Sequence, residues 1–225
     1  PGFSKGKKTP LRKFTEGFTL DFISIFALII VAVSAAVVFW LYRRDNGISS
    51  PAKDLSASAR AAKPLAAARR FAGENGCRVM KEVHLAKNGR FADLDFLILG
   101  PFGILAVTCN GMAGEIYGSA SDDEWVCVKK DVRTPFENPI TRAAADTRVV
   151  RDCLFAAKLK NIPVETVCVF TNPKAVLGIP RSTGHHTPKT FAALLEKDKY
   201  RLDKHVDLEK AEQALRECMT AGQTI

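Results

Sequence analysis

Apolar positions in this chain fall into a few dense runs, separated by polar or turn-forming segments. The first run covers residues 22–42, Phe-Ile-Ser-Ile-Phe-Ala-Leu-Ile-Ile-Val-Ala-Val-Ser-Ala-Ala-Val-Val-Phe-Trp-Leu-Tyr, interrupted only by Ser24 and Ser34. About twenty such residues span a bilayer core. Trp40 and Tyr42 stand at one end, where amphipathic rings favour the interface, and Arg43-Arg44 follow. A secretory leader would be shorter and would end at small residues. A buried core helix would carry a polar stripe. The run therefore predicts one transmembrane helix, between a basic tail at 1–21 and a polar linker at 43–54.

Residues 55–225 show mixed periodicities. An Ala-rich stretch from Asp54 to about Gly73 predicts a helix, interrupted at Pro64. Residues 77–85 and two runs within 92–109 predict three strands, the last two joined by the tight turn Gly100-Pro101-Phe102-Gly103. Shorter strands are expected at 115–117 and 125–128. Asn138 followed by Pro139 is a helix start, with the helix reaching about Lys160. Residues 164–171 are mostly apolar and β-branched, which makes a buried strand and completes a strand–helix–strand crossover. Thr187-Pro188 and Asp207 open two further helices, ending near Leu195 and Met219. These elements predict an α/β domain, a central mixed β-sheet flanked by helices, preceded by the transmembrane helix.

Charge changes the picture once it is divided. The net charge is +9. Residues 1–70 hold 12 Lys+Arg against 4 Asp+Glu, or +8, and residues 71–225 hold the other 21 and 20, or +1. The excess flanks the apolar run, where basic residues meet anionic headgroups. The globular part has no bulk attraction for phosphates, which counts against strong nucleic-acid binding. Six scattered cysteines without a CxxC pair suit a reducing compartment, placing the globular part in the cytoplasm.

Candidate chemistry centres on Asp95, a carboxylate at the mouth of a strand built for a core. A buried charge needs a partner, hydrogen bonds or a metal. Strand alternation puts Asp93 and Asp95 on one side, and Thr108 and Asn110 on one side of the next strand. Other constellations read as structural. His185-His186 lack a nearby ligand at metal spacing and are expected in a solvated loop. Cys109 faces away from Thr108 as a buried thiol, Lys129-Lys130 end an exposed strand, and the glycines form no phosphate loop.

The segment Arg90-Phe-Ala-Asp-Leu-Asp-Phe-Leu-Ile-Leu-Gly-Pro-Phe-Gly-Ile-Leu-Ala-Val-Thr-Cys-Asn-Gly111 resembles the nuclease-related domain (NERD) family. That family's signature is an Asp-containing strand, a Gly-Pro-x-Gly turn and a strand ending Glu-x-Lys-Asn. The likeness continues through Gly111-Met-Ala-Gly-Glu-Ile-Tyr-Gly118, Trp125 and Pro135-Phe-Glu-Asn-Pro139. It implies a restriction-endonuclease-like fold in which the Asp and Glu hold a divalent metal and the Lys supports the attacking water. Here Thr108-Cys109-Asn110 replaces Glu-x-Lys, Arg142 replaces the family's Gln, and the upstream helix lacks the expected acid. Asp95, Thr108 and Asn110 are thus the degenerate catalytic positions. A surviving metal site would use Asp95 and Asp93 with Mg²⁺, joined by Glu115 or Glu74 from a loop. Two functions follow: a membrane-anchored, inactive nuclease-like module that binds nucleic acid or protein without a cofactor, or a tethered metal-dependent nuclease with a rearranged site.

Overall fold

The computed structural model describes residues 25–27, 29–38 and 53–220. Residues 25–27 and 29–38 are helical and exposed. The remaining positions of the anticipated span at 22–42 lie outside the described residues. Among the described residues, no helix is long and apolar enough to cross a membrane.

Residues 52–225 form a compact unit of their own. It opens with helix α1 (Ala57–Asn75), started by the Ser56 hydroxyl, which accepts from the Ala59 amide. Gly76 ends it in the left-handed region, at φ +62, where a residue without Cβ pays no steric cost. Pro64 does not interrupt α1, contrary to expectation. Its ring is buried, so packing outweighs the single backbone hydrogen bond that proline removes.

Strands β1 (Arg78–Lys87), β2 (Arg90–Gly100) and β3 (Gly103–Asn110) form an antiparallel meander, and β7 (Val164–Phe170) joins β3 in parallel. The mixed sheet runs β1-β2-β3-β7. One face packs on α2 (Pro139–Ala156) and α4 (Leu208–Glu217) through Val149, Val150, Leu154 and Leu215. The other packs on α1 and α3 (Pro188–Leu195) through Phe71, Phe191 and Leu194. Helices on both faces keep the central strands dry, so their sequences are continuously apolar.

The expected central mixed sheet is joined by a second sheet. Strands β4 (Gly114–Tyr117), β5 (Glu124–Lys129), β6 (Val132–Glu137) and β8 (Ala175–Gly178) form a mixed sheet ordered β6-β5-β4-β8. Strands β6 and β8 carry no legible core pattern because most of their side chains are exposed. Trp125 pins this sheet, stacking on Phe170 at 6.1 Å between centroids while its indole N–H donates to the Ser119 carbonyl. Strand β5 ends at Lys129 with Lys130 exposed, as expected, and Lys130 and Asp131 turn the chain into β6 with positive φ. Helix α2 also stops at Ala156, short of Lys160. Lys158 turns left-handed, at φ +64, and amides 157 to 159 close onto the Leu154 and Phe155 carbonyls.

Asp95 marks a break in strand alternation. Ala92 and Leu94 face the α2 side, whereas Phe96 and Ile98 face the α1 side. The reversal lies where the β1–β2 register skips the Glu82–Asp95 pair and Glu82 adopts φ +51. Such a local twist re-aims side chains beside a site.

Candidate functional site

A cavity of about 460 Å³ opens where the start of β2, the end of β3 and the first turns of α1 and α2 meet. Asp93, Asp95, Thr108 and Asn110 all line it, so the sequence-derived residues are brought together. Glu115 and Glu74 do not line it. Glu115 instead accepts from the Tyr117 hydroxyl, and Glu74 lies at the C-terminal end of α1.

The Asp95 carboxylate has only 8% of its side-chain surface exposed. One oxygen lies 3.0 Å from Arg60 Nε, and the other accepts from the Cys109 amide at 2.6 Å. A nearly buried charge is tolerated when it has both an ionic partner and charge-assisted hydrogen bonds. Arg60 reaches it from the first turn of α1, which the Ser56 cap orients and which Leu55 ties to Gly111 through a backbone hydrogen bond.

The two neighbours on β3 turn their polar groups to the local backbone. Thr108 Oγ1 donates to the Val167 carbonyl at 3.4 Å, and Asn110 Oδ1 accepts from the Met112 amide at 2.9 Å. Cys109 packs on the opposite face among the α1-side core, and burial pushes its thiol far up, followed by the nearby Asp95 charge. This is an inert structural thiol. Asp54 closes another wall, held ionised first by a hydrogen bond from Lys129 and also accepting from the Ala113 amide.

Helix α2 contributes the residues that sequence reasoning underrated. Its start is fixed by Asn138, fully buried, whose Oδ1 accepts from the Ile140 amide while its Nδ2 donates to the Asp122 carbonyl. One turn later Arg142 lies between three carboxylates: Asp146 at 3.0 Å, Glu137 at 3.4 Å and Asp93 at 3.9 Å. Asp93 also meets His84 Nδ1 at 2.9 Å.

Asp146 is fully buried, and its Oδ2 has no hydrogen-bond partner among the described residues. Burial pushes its carboxyl up to about 6, with Arg142 pulling the other way. The sequence held a signal for it. Asp146 sits three residues from Ala143 and Val149 on the stripe that continues to Val150 and Cys153, a charge on the apolar face of an amphipathic helix.

A hard divalent cation needs several anionic oxygens converging at close range. Here Asp95 has both oxygens engaged, Thr108 and Asn110 are neutral, and Arg142 fills the space between the other acids. Among the described residues, no group of three His, Cys, Asp or Glu is placed to hold a metal ion. The residues present do not fit a Mg²⁺ centre. The histidine pair at 185–186 is corrected in another way: both rings are half-buried rather than solvated. His185 bonds to Thr183 Oγ1 and packs edge-on against Phe170, and the His186 backbone bridges to Val169.

No curated protein and no solved structure matches the chain. A family profile does, that of NERD, the nuclease-related domain, over residues 53–171, from just before α1 to just past β7. That stretch contains the cavity's whole lining and covers more than half of the 225 residues. The chain belongs to the nuclease-related domain family.

Proposed function

We propose that this protein is a membrane-anchored binding module that retains a restriction-endonuclease-like fold without nuclease activity. The observation that carries the reading is the state of Asp95. The acid that matches the family's metal ligand is occupied by an internal cation, Arg60, and by the Cys109 amide. With Thr108 and Asn110 in place of Glu and Lys, the site lacks the carboxylate that the family pairs with its Asp and the lysine that would stabilise developing charge, and the cavity's other acids are paired with Lys129 or Arg142. Each such electrostatic contribution is typically worth a few kcal/mol of barrier, hence orders of magnitude in rate.

Residues 22–42 support the anchor through their length, uninterrupted apolarity and basic flanks. The cytoplasmic side suits the globular part because all six cysteines are free and five are buried as small hydrophobes. A protein partner fits better than nucleic acid, since residues 71–225 are nearly neutral and the cavity is lined by more acids than bases.

The test is a cleavage assay on DNA and RNA with Mg²⁺ or Mn²⁺, for which no turnover above a blank is expected. Turnover that disappears in Asp95→Ala would establish the tethered nuclease instead. Carbonate-resistant sedimentation with membranes and a cytoplasmic score for a reporter fused after Ile225 are expected. Release by carbonate would remove the anchor.

A further inference from the structure

The charges around the cavity do not balance locally. Asp95 is matched by Arg60 and Asp54 by Lys129. The remaining three carboxylates, Asp93, Glu137 and Asp146, share one guanidinium, that of Arg142, and of the three only Asp93 has a further partner among the described residues, the His84 ring. They are also arranged in depth. Asp93 and Glu137 are exposed at the rim, at 69% and 61%, whereas Asp146 is fully buried at the base. Asp146 Oδ1 accepts from Arg142 Nε, and Oδ2 has no partner among the described residues. Leaving a buried acceptor unmatched is costly, more so for a charged group, so this oxygen is a standing demand for a donor.

We propose that this cavity binds an organic cation that donates N–H hydrogen bonds, supplied as an arginine or lysine side chain of a partner protein. The assignment rests on the binding-module reading above and names its ligand. Three features select the chemistry. The excess of negative charge calls for a cation and repels phosphate. The carboxylates enclose Arg142 rather than an empty coordination sphere, which favours a planar or tetrahedral N–H donor over a metal ion. The volume of about 460 Å³ admits a long side chain and lies in the usual range for ligand sites.

Arg142 fills the space between these acids, so entry requires its side chain to swing aside. Its side chain is 37% exposed and already lies near Glu137 and Asp93. Turning outward, it keeps two acceptors while the incoming cation takes Asp146. The exposed acids at the rim draw the ligand in, and the buried one holds it. Raising of the Asp146 pKa by burial agrees with a carboxylate whose charge is under-compensated when the cavity is empty.

Calorimetric titration of the full chain tests this with n-butylguanidinium, acetyl-Gly-Arg-Gly-amide, the matching Glu peptide and inorganic phosphate. Butylguanidinium and the Arg peptide should bind, and the Glu peptide and phosphate should not. Asp146→Asn should weaken binding at least about tenfold, a loss of about 1.4 kcal/mol. Circular dichroism verifies that it folds. Glu137→Gln, a change at an exposed rim position, should weaken binding about threefold through lost rim charge. Unchanged affinity in both variants, or preferential binding of phosphate, would overturn the proposal. Binding of butylguanidinium without the peptide would overturn the protein-partner form of it. The cleavage assay reads the other conclusion separately. Cleavage by a chain that binds guanidinium removes only the non-catalytic reading, and absence of both removes only the cation assignment.

Discussion

Arg60 Nε lies 3.0 Å from Asp95 Oδ1, joining residues 35 positions apart, one on the first turn of α1 and the other on β2. The pair explains how a carboxylate survives at the edge of an apolar sheet. It also explains why the same carboxylate is poorly available to an external cation. The Arg60 side chain is 40% exposed and that of Asp95 8%, so the acid depends on the base more than the reverse.

Removing the base should therefore destabilise the fold. Arg60→Ala leaves Asp95 with only the Cys109 amide, and a loss of about 1–3 kcal/mol is expected in urea unfolding. In a double-mutant cycle, Asp95→Asn should recover part of that loss, because the stranded charge goes with it. Additive effects would show that the pair does not couple.

Asp146 gives a pH signature. Its folded pKa is raised from 3.8 to about 6, so the stabilising contribution is full below about 3.8 and is lost as pH rises through about 6. Arg142, Asp93 and Glu137 face this carboxyl, and His84 contacts Asp93. In Asp146→Asn the group no longer titrates. The stability of the variant relative to the native chain should thus rise by about 2–3 kcal/mol between pH 4 and pH 7. Taking the difference removes the opposite trend from acids with lowered pKa values, such as Asp54 and Glu212. A flat difference across that window would contradict the burial of Asp146.

Asn138 is a cap and a crosslink at once. Its oxygen accepts from the Ile140 amide and its amide nitrogen donates to carbonyls before β5, the shortest being Asp122 at 2.6 Å. Asn138→Ala should cost about 2–4 kcal/mol in thermal or denaturant unfolding. Asn138→Asp keeps the cap acceptor but loses the donors, so it should recover only part of this.

Gly103 closes the β2–β3 turn at φ +127, and a Cβ there would strike the Pro163 carbonyl that receives the Ile104 amide. Gly103→Ala should cost about 2 kcal/mol or more, combining backbone strain with the clash. Melting near the native temperature would show that the turn can relax.

Elements whose signals are local could be read from the order of residues alone. The Gly-Pro-Phe-Gly turn between two apolar runs defined the β2–β3 hairpin, Asn138-Pro139 defined the start of α2, and the run at 164–171 defined β7. Each relies on backbone geometry or burial that neighbouring residues encode. The same order also singled out Asp95 and, through the tight turn that pairs β2 with β3, placed Thr108 and Asn110 near it, whereas the break in alternation that aims Asp95 had no local signal. Tertiary structure alone decided what surrounds them. Arg60 reaches Asp95 only because α1 packs across the sheet, and the exposed β6 and β8 become strands only through partners elsewhere in the chain. The burial of Asp146 follows from α2 lying on the sheet with the stripe from Ala143 to Leu154 inward. Burial, ion pairing and an unmatched oxygen are properties of distant chain segments meeting, and no local pattern carries them.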